Sequence, residues 1–171
     1  MNLTFQDGDA TRPPGDDPKI IVHVCNDAGG WGKGFVVAVS RRWRDPEKRY
    51  RAWHRGEEAQ PFALGQVQFV RVEDALWVAN LIGQHRMGFQ HGIPPIRYEA
   101  VRDGLRIVAV KAKELGASVH MPRIGSGLAG GKWEDIERIV REELTEAGVA
   151  VTVYDLPQRQ AITHRFGLAG G

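Results

Sequence analysis

Two segments of this chain have the composition needed to hold an anion. Gly125-Ser126-Gly127-Leu128-Ala129-Gly130 fits G-x-G-x-x-G, a pattern whose bare backbone can approach a phosphate closely while N–H groups and the positive end of a following helix face the charge. It stands between a strand-like stretch and a helix beginning near Trp133, the context that gives the pattern meaning. The same loop could also be a tight strand-to-helix turn with no ligand. A dinucleotide fingerprint fits less well: it belongs at the first strand of a fold, with an acid about 20 residues on, and no suitable acid stands out downstream. The second segment, Asn26-Asp27-Ala28-Gly29-Gly30-Trp31-Gly32-Lys33-Gly34, carries four glycines in the six positions from Gly29, which no helix or strand interior tolerates cheaply. A flexible surface loop would not explain Trp31 at its centre or Asn26-Asp27 at its base. An aromatic there could cover a sugar or base. Two such loops on one sheet edge would grip a pyrophosphate from both sides. Asp9, in Gly8-Asp9-Ala10-Thr11, reads on spacing alone as a turn or helix cap rather than a ligand contact. His54, His85 and His91 lack the i, i+4 spacing of metal ligands, so no metal is expected.

The elements that must position these loops follow from periodicity. Leu3–Phe5 is a short strand candidate, and Ile20–Cys25 is an apolar, β-branched run of the kind buried on both faces. Phe35, Val36, Val39 and Trp43 recur at helical spacing up to Pro46, which ends or redirects that helix, and a second helical piece carries Tyr50 and Trp53. Val67–Val72 and Leu76–Ile82 predict a hairpin turning at Glu73-Asp74. A long, polar loop is expected over Gly83–Pro95. A helix opening at Ile96 puts Tyr98, Val101, Leu105, Val108, Ala112 and Leu115 in one stripe and stops at Gly116. Ser118–Pro122 is a strand. A helix with Ile136, Ile139, Val140 and Leu144 on one face closes at Gly148, and Val149–Tyr154 is the last strand. This order implies an α/β domain with helices on both sheet faces, whose ligands sit at the carboxyl ends of the strands. His23 and His120 fall inside strands as core or sheet residues. Trp43, Tyr50, Trp53 and Trp77 read as core, and Arg41-Arg42 with Arg44 as a solvated helix end.

Composition bounds the function classes. At 171 residues, 42% hydrophobic and 26% charged, with mean hydropathy −0.34, the chain suits one globular domain with its own core. No run approaches the roughly 18 apolar residues of a membrane helix. The acidic start, MNLTFQDGDATRPP, does not resemble an export signal, and a cytoplasmic location is expected. Cys25 is the single cysteine, which leaves no intramolecular disulfide and no thiolate zinc cluster. With 23 basic and 21 acidic residues, the pI of 8.9 reflects near balance, and nucleic acid is not the default partner. The tail from Pro157 is polar and is expected to lie loose or over the surface.

Gly8-Asp9-Ala10-Thr11, Val22-His23-Val24-Cys25-Asn26-Asp27 with its glycine loop, Met121-Pro122-Arg123-Ile124-Gly125-Ser126-Gly127-Leu128 with Trp133, and Val151-Thr152-Val153-Tyr154-Asp155 together resemble the macrodomain family. The likeness runs from about Leu3 to Leu156, and it is nearest to the branch holding the terminal ADP-ribose protein glycohydrolase, the yeast-type ADP-ribose-phosphate phosphatase and small bacterial relatives. It implies a three-layer α/β/α fold on a mixed, six-stranded sheet, with a macrodomain over residues 1–156, a tail over 157–171 and a pocket for ADP-ribose without a further cofactor. Asp9, with Ala10, matches the acid that accepts from the adenine amino group. Asn26, Gly30, Trp31, Gly32, Lys33, Gly34 and Phe35 match the loop around the distal ribose and phosphates. Arg123 and Ile124 lead into the diphosphate loop of Gly125, Ser126, Gly127, Leu128, Ala129 and Gly130. Tyr154, Asp155 and Leu156 lie where the family lines its adenine cleft. The resemblance also marks two departures. A lysine that forms a covalent adduct with the opened ribose is replaced by Gln84, and an aspartate after the Gly-Leu pair by Ala129.

What remains near the scissile position is Asn26, Asp27, Gln84 and His85. An ADP-ribosyl ester on Asp or Glu of a modified protein is an activated link, so these polar groups, with a well-held diphosphate, could cleave it by positioning one water. Gln84 and Asn26 would orient ribose and water, and Asp27 or His85 would handle the proton. Asn26 and Asp27 could instead cap the strand-loop junction, Arg123 could face the anion or, as favoured here, brace the loop, and the chain could be a non-catalytic reader of ADP-ribose.

Overall fold

The computed structural model describes residues 2–156; the tail from Pro157 lies outside them. The elements are β1 (Leu3–Asp7), β2 (Lys19–Asn26), α1 (Phe35–Arg42), α2 (Asp45–His54), β3 (Val67–Glu73), β4 (Leu76–Gln84), α3 (Tyr98–Leu115), β5 (Ser118–Met121), α4 (Trp133–Val140) and β6 (Val151–Asp155). The strands form a six-stranded sheet in the order β1-β6-β5-β2-β4-β3. Every neighbouring pair is parallel except the β3–β4 hairpin. This is the mixed three-layer α/β/α architecture expected.

Alternation along β2 explains the layers. Ile20 and Val22 face the cluster made by α3 and α4, with Leu81, Val101, Leu105, Val108 and Ile136. Ile21 and Cys25 face the one made by α1 and α2, with Val39, Tyr50, Trp53, Val78 and Ile82. Gly104 sits inside α3 because a Cβ there would lie 2.4 Å from Leu81 Cγ; the bare backbone lets this helix approach β4. On the α2 face the sheet carries a buried polar row at one register. His23, Asn80 and Gln68 lie side by side on β2, β4 and β3. Their side chains link at 2.6 and 3.0 Å, and the row ties to α2 through Pro46 O (3.1 Å) and Arg49 O (3.0 Å).

Several boundaries differ from the periodicity, each for a local reason. Pro46 lies in the first turn of α2, where its missing N–H costs nothing. Helix α3 begins at Tyr98 rather than Ile96, because Arg97 is extended and its N–H bonds Gly83 O at 2.8 Å. The last helix passes into a π turn over Arg141–Thr145, and its closure takes the Val149 N–H for Leu144 O (2.9 Å), so β6 starts at Val151. Trp43 and Trp77 are half-buried rather than core: the Trp43 indole donates to Glu73 at 3.1 Å, and Arg71 lies over Trp77. Tyr50 and Trp53 are fully buried. The β4–α3 loop is not polar at its surface, since Met87, Phe89 and Ile93 are about 60% exposed. Among the described residues no helix is long and apolar enough to cross a membrane.

Candidate functional site

The carboxyl ends of β2, β4, β5 and β6 point to one edge, as parallel pairing requires, and both glycine loops leave from it. At the end of β2 a bulge sets Asn26 opposite Gln84 of β4, and the Asp27 N–H bonds Gln84 O at 2.9 Å. The Asn26 amide turns back into its own loop. Its Oδ1 accepts from the N–H groups of Ala28 (2.9 Å) and Gly30 (3.0 Å) and from the Tyr50 hydroxyl (3.0 Å), and its Nδ2 donates to Gly30 O (2.9 Å). Asn26 is thus spent as a brace, which corrects its assignment to ribose and water. Trp31 is corrected too: it is 5% exposed, donates to Ser40 Oγ at 2.7 Å and packs against the His23 and Tyr50 rings. A buried indole cannot cover a sugar. The loop runs into α1 through Gly34, whose φ of 83° favours glycine. Helix α1 has no side-chain cap and no acid in its first turn; the Val37 N–H turns back to Gly34 O at 3.1 Å, and no side chain competes with an anion for the amides before it or for the positive end.

The second loop is tightened from within. Gly131 N–H bonds Gly125 O at 2.8 Å, so close that a Cβ on Gly131 would lie 2.4 Å from that oxygen. Gly130 N–H bonds Gly127 O at 3.0 Å, and Ser126 Oγ donates to Arg123 O at 2.8 Å. Ile124 and Ala129 are buried, so these two can offer a ligand only backbone. Arg123 holds both oxygens of Asp155, at 2.7 and 2.9 Å, with its guanidinium 5.1 Å from the Phe5 and Trp133 ring centres. This pairing ties the start of the loop to the end of β6.

Three exposed apolar side chains show how near the loops are. A Cβ built on Gly34 would lie 3.5 Å from Leu128, one on Gly130 2.7 Å from Phe89, and one on Gly30 2.1 Å from Met87. The β4–α3 loop therefore spans both glycine loops. It also brings His85 to Asp27, 58 residues away in sequence: His85 Nδ1 stands 2.7 Å from Asp27 Oδ2. Asp27 Oδ1 accepts the Arg86 N–H at 2.7 Å, presented by a backbone with φ of 62° that a non-glycine residue rarely adopts. Desolvation pushes the Asp27 carboxyl up, but the Arg86 amide and His85 outweigh it and hold the group below its usual range. Gln84 Nε2 donates to Arg86 O at 3.2 Å.

Beside the end of β6, Asp9 Oδ1 accepts from Thr11 N (2.8 Å) and Oγ1 (2.7 Å), the turn cap read from its spacing, while Oδ2 faces the exposed Arg12 at 3.8 Å. Ala10 is buried. Gly8 N–H bonds Asp155 O at 2.8 Å, which sets the turn before Asp9 against the end of β6. Tyr154 lies buried under Gly8 with its hydroxyl 2.7 Å from His120 Nδ1, and Leu156 is exposed.

No family model matches the chain. It is 55% identical to a macrodomain protein from Streptomyces coelicolor, with a TM-score of 0.81, over 91% of this chain and all of that one. The chain belongs to the macrodomain family. This macrodomain is also 30% identical to the mouse chromodomain-helicase-DNA-binding protein 1-like over 169 residues, which is 94% of this chain and 18% of that protein. It is 27% identical to the DNA ADP-ribosyl glycohydrolase of Thermus aquaticus, over 98% of this chain and 50% of that one. The chain thus spans under a fifth of the helicase and half of the glycohydrolase. What periodicity missed in this macrodomain is the bracing: Tyr50 under Asn26 and the Arg86 amide on Asp27 carry no sequence signal of their own.

Proposed function

We propose that this macrodomain is an ADP-ribosyl hydrolase that binds ADP-ribose in the cleft between the two glycine loops and releases it from Asp or Glu esters of modified proteins. The observation that carries the proposal is the His85–Asp27 pair, 2.7 Å apart, at the strand edge beside both loops. The diphosphate would lie on backbone amides from the Trp31–Gly34 segment, with Lys33 and Phe35 at the start of α1, and on those of the 125–129 loop, Gly30 and Gly130 having their own N–H groups bonded within the loops. Adenine would turn toward Asp9 Oδ2, Tyr154, Asp155 and Leu156, and the distal ribose toward Gln84 and His85. Kinship supports the reading through relatives named as hydrolases of ADP-ribosyl groups.

In the chemistry proposed, Asp27 accepts a hydrogen bond from the Nδ1–H of His85, which fixes the tautomer and leaves Nε2 as the base. A water placed by Gln84 attacks C1″ of the distal ribose, its proton passes to Nε2, and the C1″–O bond breaks with its electron pair leaving on the carboxylate. No lysine adduct is formed. The loops hold the diphosphate while positive charge develops at the ribose. A second reading, a module that binds ADP-ribose without turnover, draws on Asn26, whose amide is fully spent on its loop. The test is release of free ADP-ribose from glutamate-linked and arginine-linked mono-ADP-ribosyl substrates. Release from the glutamate ester that disappears in His85→Ala supports the hydrolase; tight ADP-ribose binding with no release from either substrate supports the reader.

A further inference from the structure

The β4–α3 loop curls around a half-open hollow, its rim formed by exposed Arg86, Gln90 and Ile93, that the mechanism above does not use. Gln90 and Ile93 exchange backbone hydrogen bonds of 3.0 and 2.9 Å across His91-Gly92, both with positive φ (52° and 77°), as in a type I′ turn. The His85 N–H closes the base of the loop on Pro95 O at 2.8 Å. One guanidinium nitrogen of Arg97 donates to the carbonyls of Pro94, Pro95 and Ile96 at 2.8, 3.2 and 3.0 Å. These bonds hold open a cavity of about 140 Å³, with His85, Arg86, Gln90, Ile93, Pro94 and Pro95 in its wall. Met87 and Phe89 turn the other way, onto the glycine loops. His85 belongs to both sides, bonded to Asp27 by Nδ1 and facing the cavity.

Size and lining decide what fits. The volume is that of a benzene ring's cavity, about 150 Å³, here with polar His85, Arg86, Gln90, His91 and Arg97 on the rim beside the apolar wall, while a nucleoside or a length of peptide is too large. Ile93 and the two proline rings supply apolar wall. Arg86 spends one donor on Gln90 at 3.1 Å and keeps others for the carbonyl of an ester, which becomes a carboxylate as the C1″–O bond breaks. We propose that the loop cavity is an acceptor subsite, which takes one planar ring attached through a carboxylate to the distal ribose. The proposal rests on the cleft being an ADP-ribosyl hydrolase site and adds a second acceptor class beside the protein esters: small aromatic esters, taken in preference to small alkyl ones.

Calorimetric titration with the 1″-O-methyl and 1″-O-benzyl ethers of ADP-ribose reads the ring's contribution without any turnover. The benzyl ether should bind about tenfold more tightly. Ile93→Asp, at a side chain already 58% exposed, should bring the benzyl-to-methyl ratio to about one, and Ile93→Leu should restore it; the ratio cancels any loss common to both probes. Equal affinity for the two ethers in the unaltered chain overturns the subsite and leaves the hydrolase standing. A benzyl preference that survives Ile93→Asp puts the ring elsewhere and also overturns it. If neither ether nor ADP-ribose itself binds at millimolar concentration, the hydrolase reading falls and takes the subsite with it.

Discussion

Acid should destabilise this protein through its buried histidines, His23 and His120, both lowered to about 4 chiefly by burial, before it touches the surface ion pairs, and His23 is the one that can be isolated. His23 is 1% exposed, and desolvation, only partly offset by its hydrogen bond to Asn80, lowers its pKa from 6.5 to about 4. The folded state therefore holds this imidazole neutral where the unfolded chain would protonate it. Stability is full above pH 6.5, falls as protons bind the unfolded chain, and stops falling below about pH 4. At 1.36 kcal/mol for each pH unit the whole interval carries about 3 kcal/mol, and about 2 kcal/mol is already lost at pH 5. Urea unfolding at pH 7 and pH 5, on the wild-type chain and on His23→Gln, isolates the effect, because every other titrating group is common to both. Glutamine can donate to Asn80 but cannot titrate. The variant should be less stable at pH 7, yet lose about 2 kcal/mol less than wild type on going to pH 5. Equal losses in the two chains would mean that His23 is not the acid-sensitive group, and that the polar row owes its neutrality to something else.

The catalytic and binding roles separate in four further variants. His85→Ala should lower turnover of the glutamate ester by about 10²–10⁴-fold and leave the calorimetric affinity for ADP-ribose within about threefold, since the base as proposed would touch water and not the diphosphate. Asn26→Ala removes hydrogen bonds to Ala28, Gly30 and Tyr50; urea unfolding should show a loss of about 2 kcal/mol, and ADP-ribose affinity should fall with it. Gly34→Ala forces a side chain into a φ of 83°, costs about 1–2 kcal/mol, and should weaken ADP-ribose at least severalfold by moving the start of α1. Arg123→Met frees Asp155, whose carboxyl the guanidinium holds below its usual range; affinity should drop while kcat on bound substrate stays the same.

Much of the fold was legible because burial writes itself into periodicity. The β-branched run of β2, the three-and-four stripe of α3 and the hairpin at Glu73-Asp74 each obey one local rule, and the sheet follows from their order. The glycine loops were legible because glycine at that density has few uses other than close backbone approach. Side-chain direction was not legible. Asn26 and Trp31 sit in a loop that looks like a ligand contact, yet Tyr50 and Ser40 reach them from α2 and α1 and turn them inward. Asp27 and His85 were singled out, but nothing local says that residues 58 apart will share a proton; the bulge at Cys25-Asn26 and the positive φ of Arg86 decide that. The exposed Met87, Phe89 and Ile93 were hidden among polar neighbours, where periodicity has nothing to report.

The bracing that hid those two residues also bears on what the cleft can do. A glycine-rich loop is costly to order, and an anion that had to order it on binding would lose much of its affinity to that entropy. Here Asn26, held by a buried tyrosine, fixes Gly30 by both its N–H and its carbonyl, and Trp31 pins the middle of the loop into the α1–α2 core. The second loop is fixed by Gly125, Gly127 and Arg123 in the same way. The amides thus stand in place before any ligand arrives, so binding energy is not spent on ordering them and remains for the distal ribose. On this view the residue types that first suggest ligand contacts serve better by not touching the ligand. Asn26→Asp tests that directly: its charge would keep the two accepted N–H bonds but lose the bond to Gly30 O, and ADP-ribose affinity should fall although no atom near the ligand has been removed.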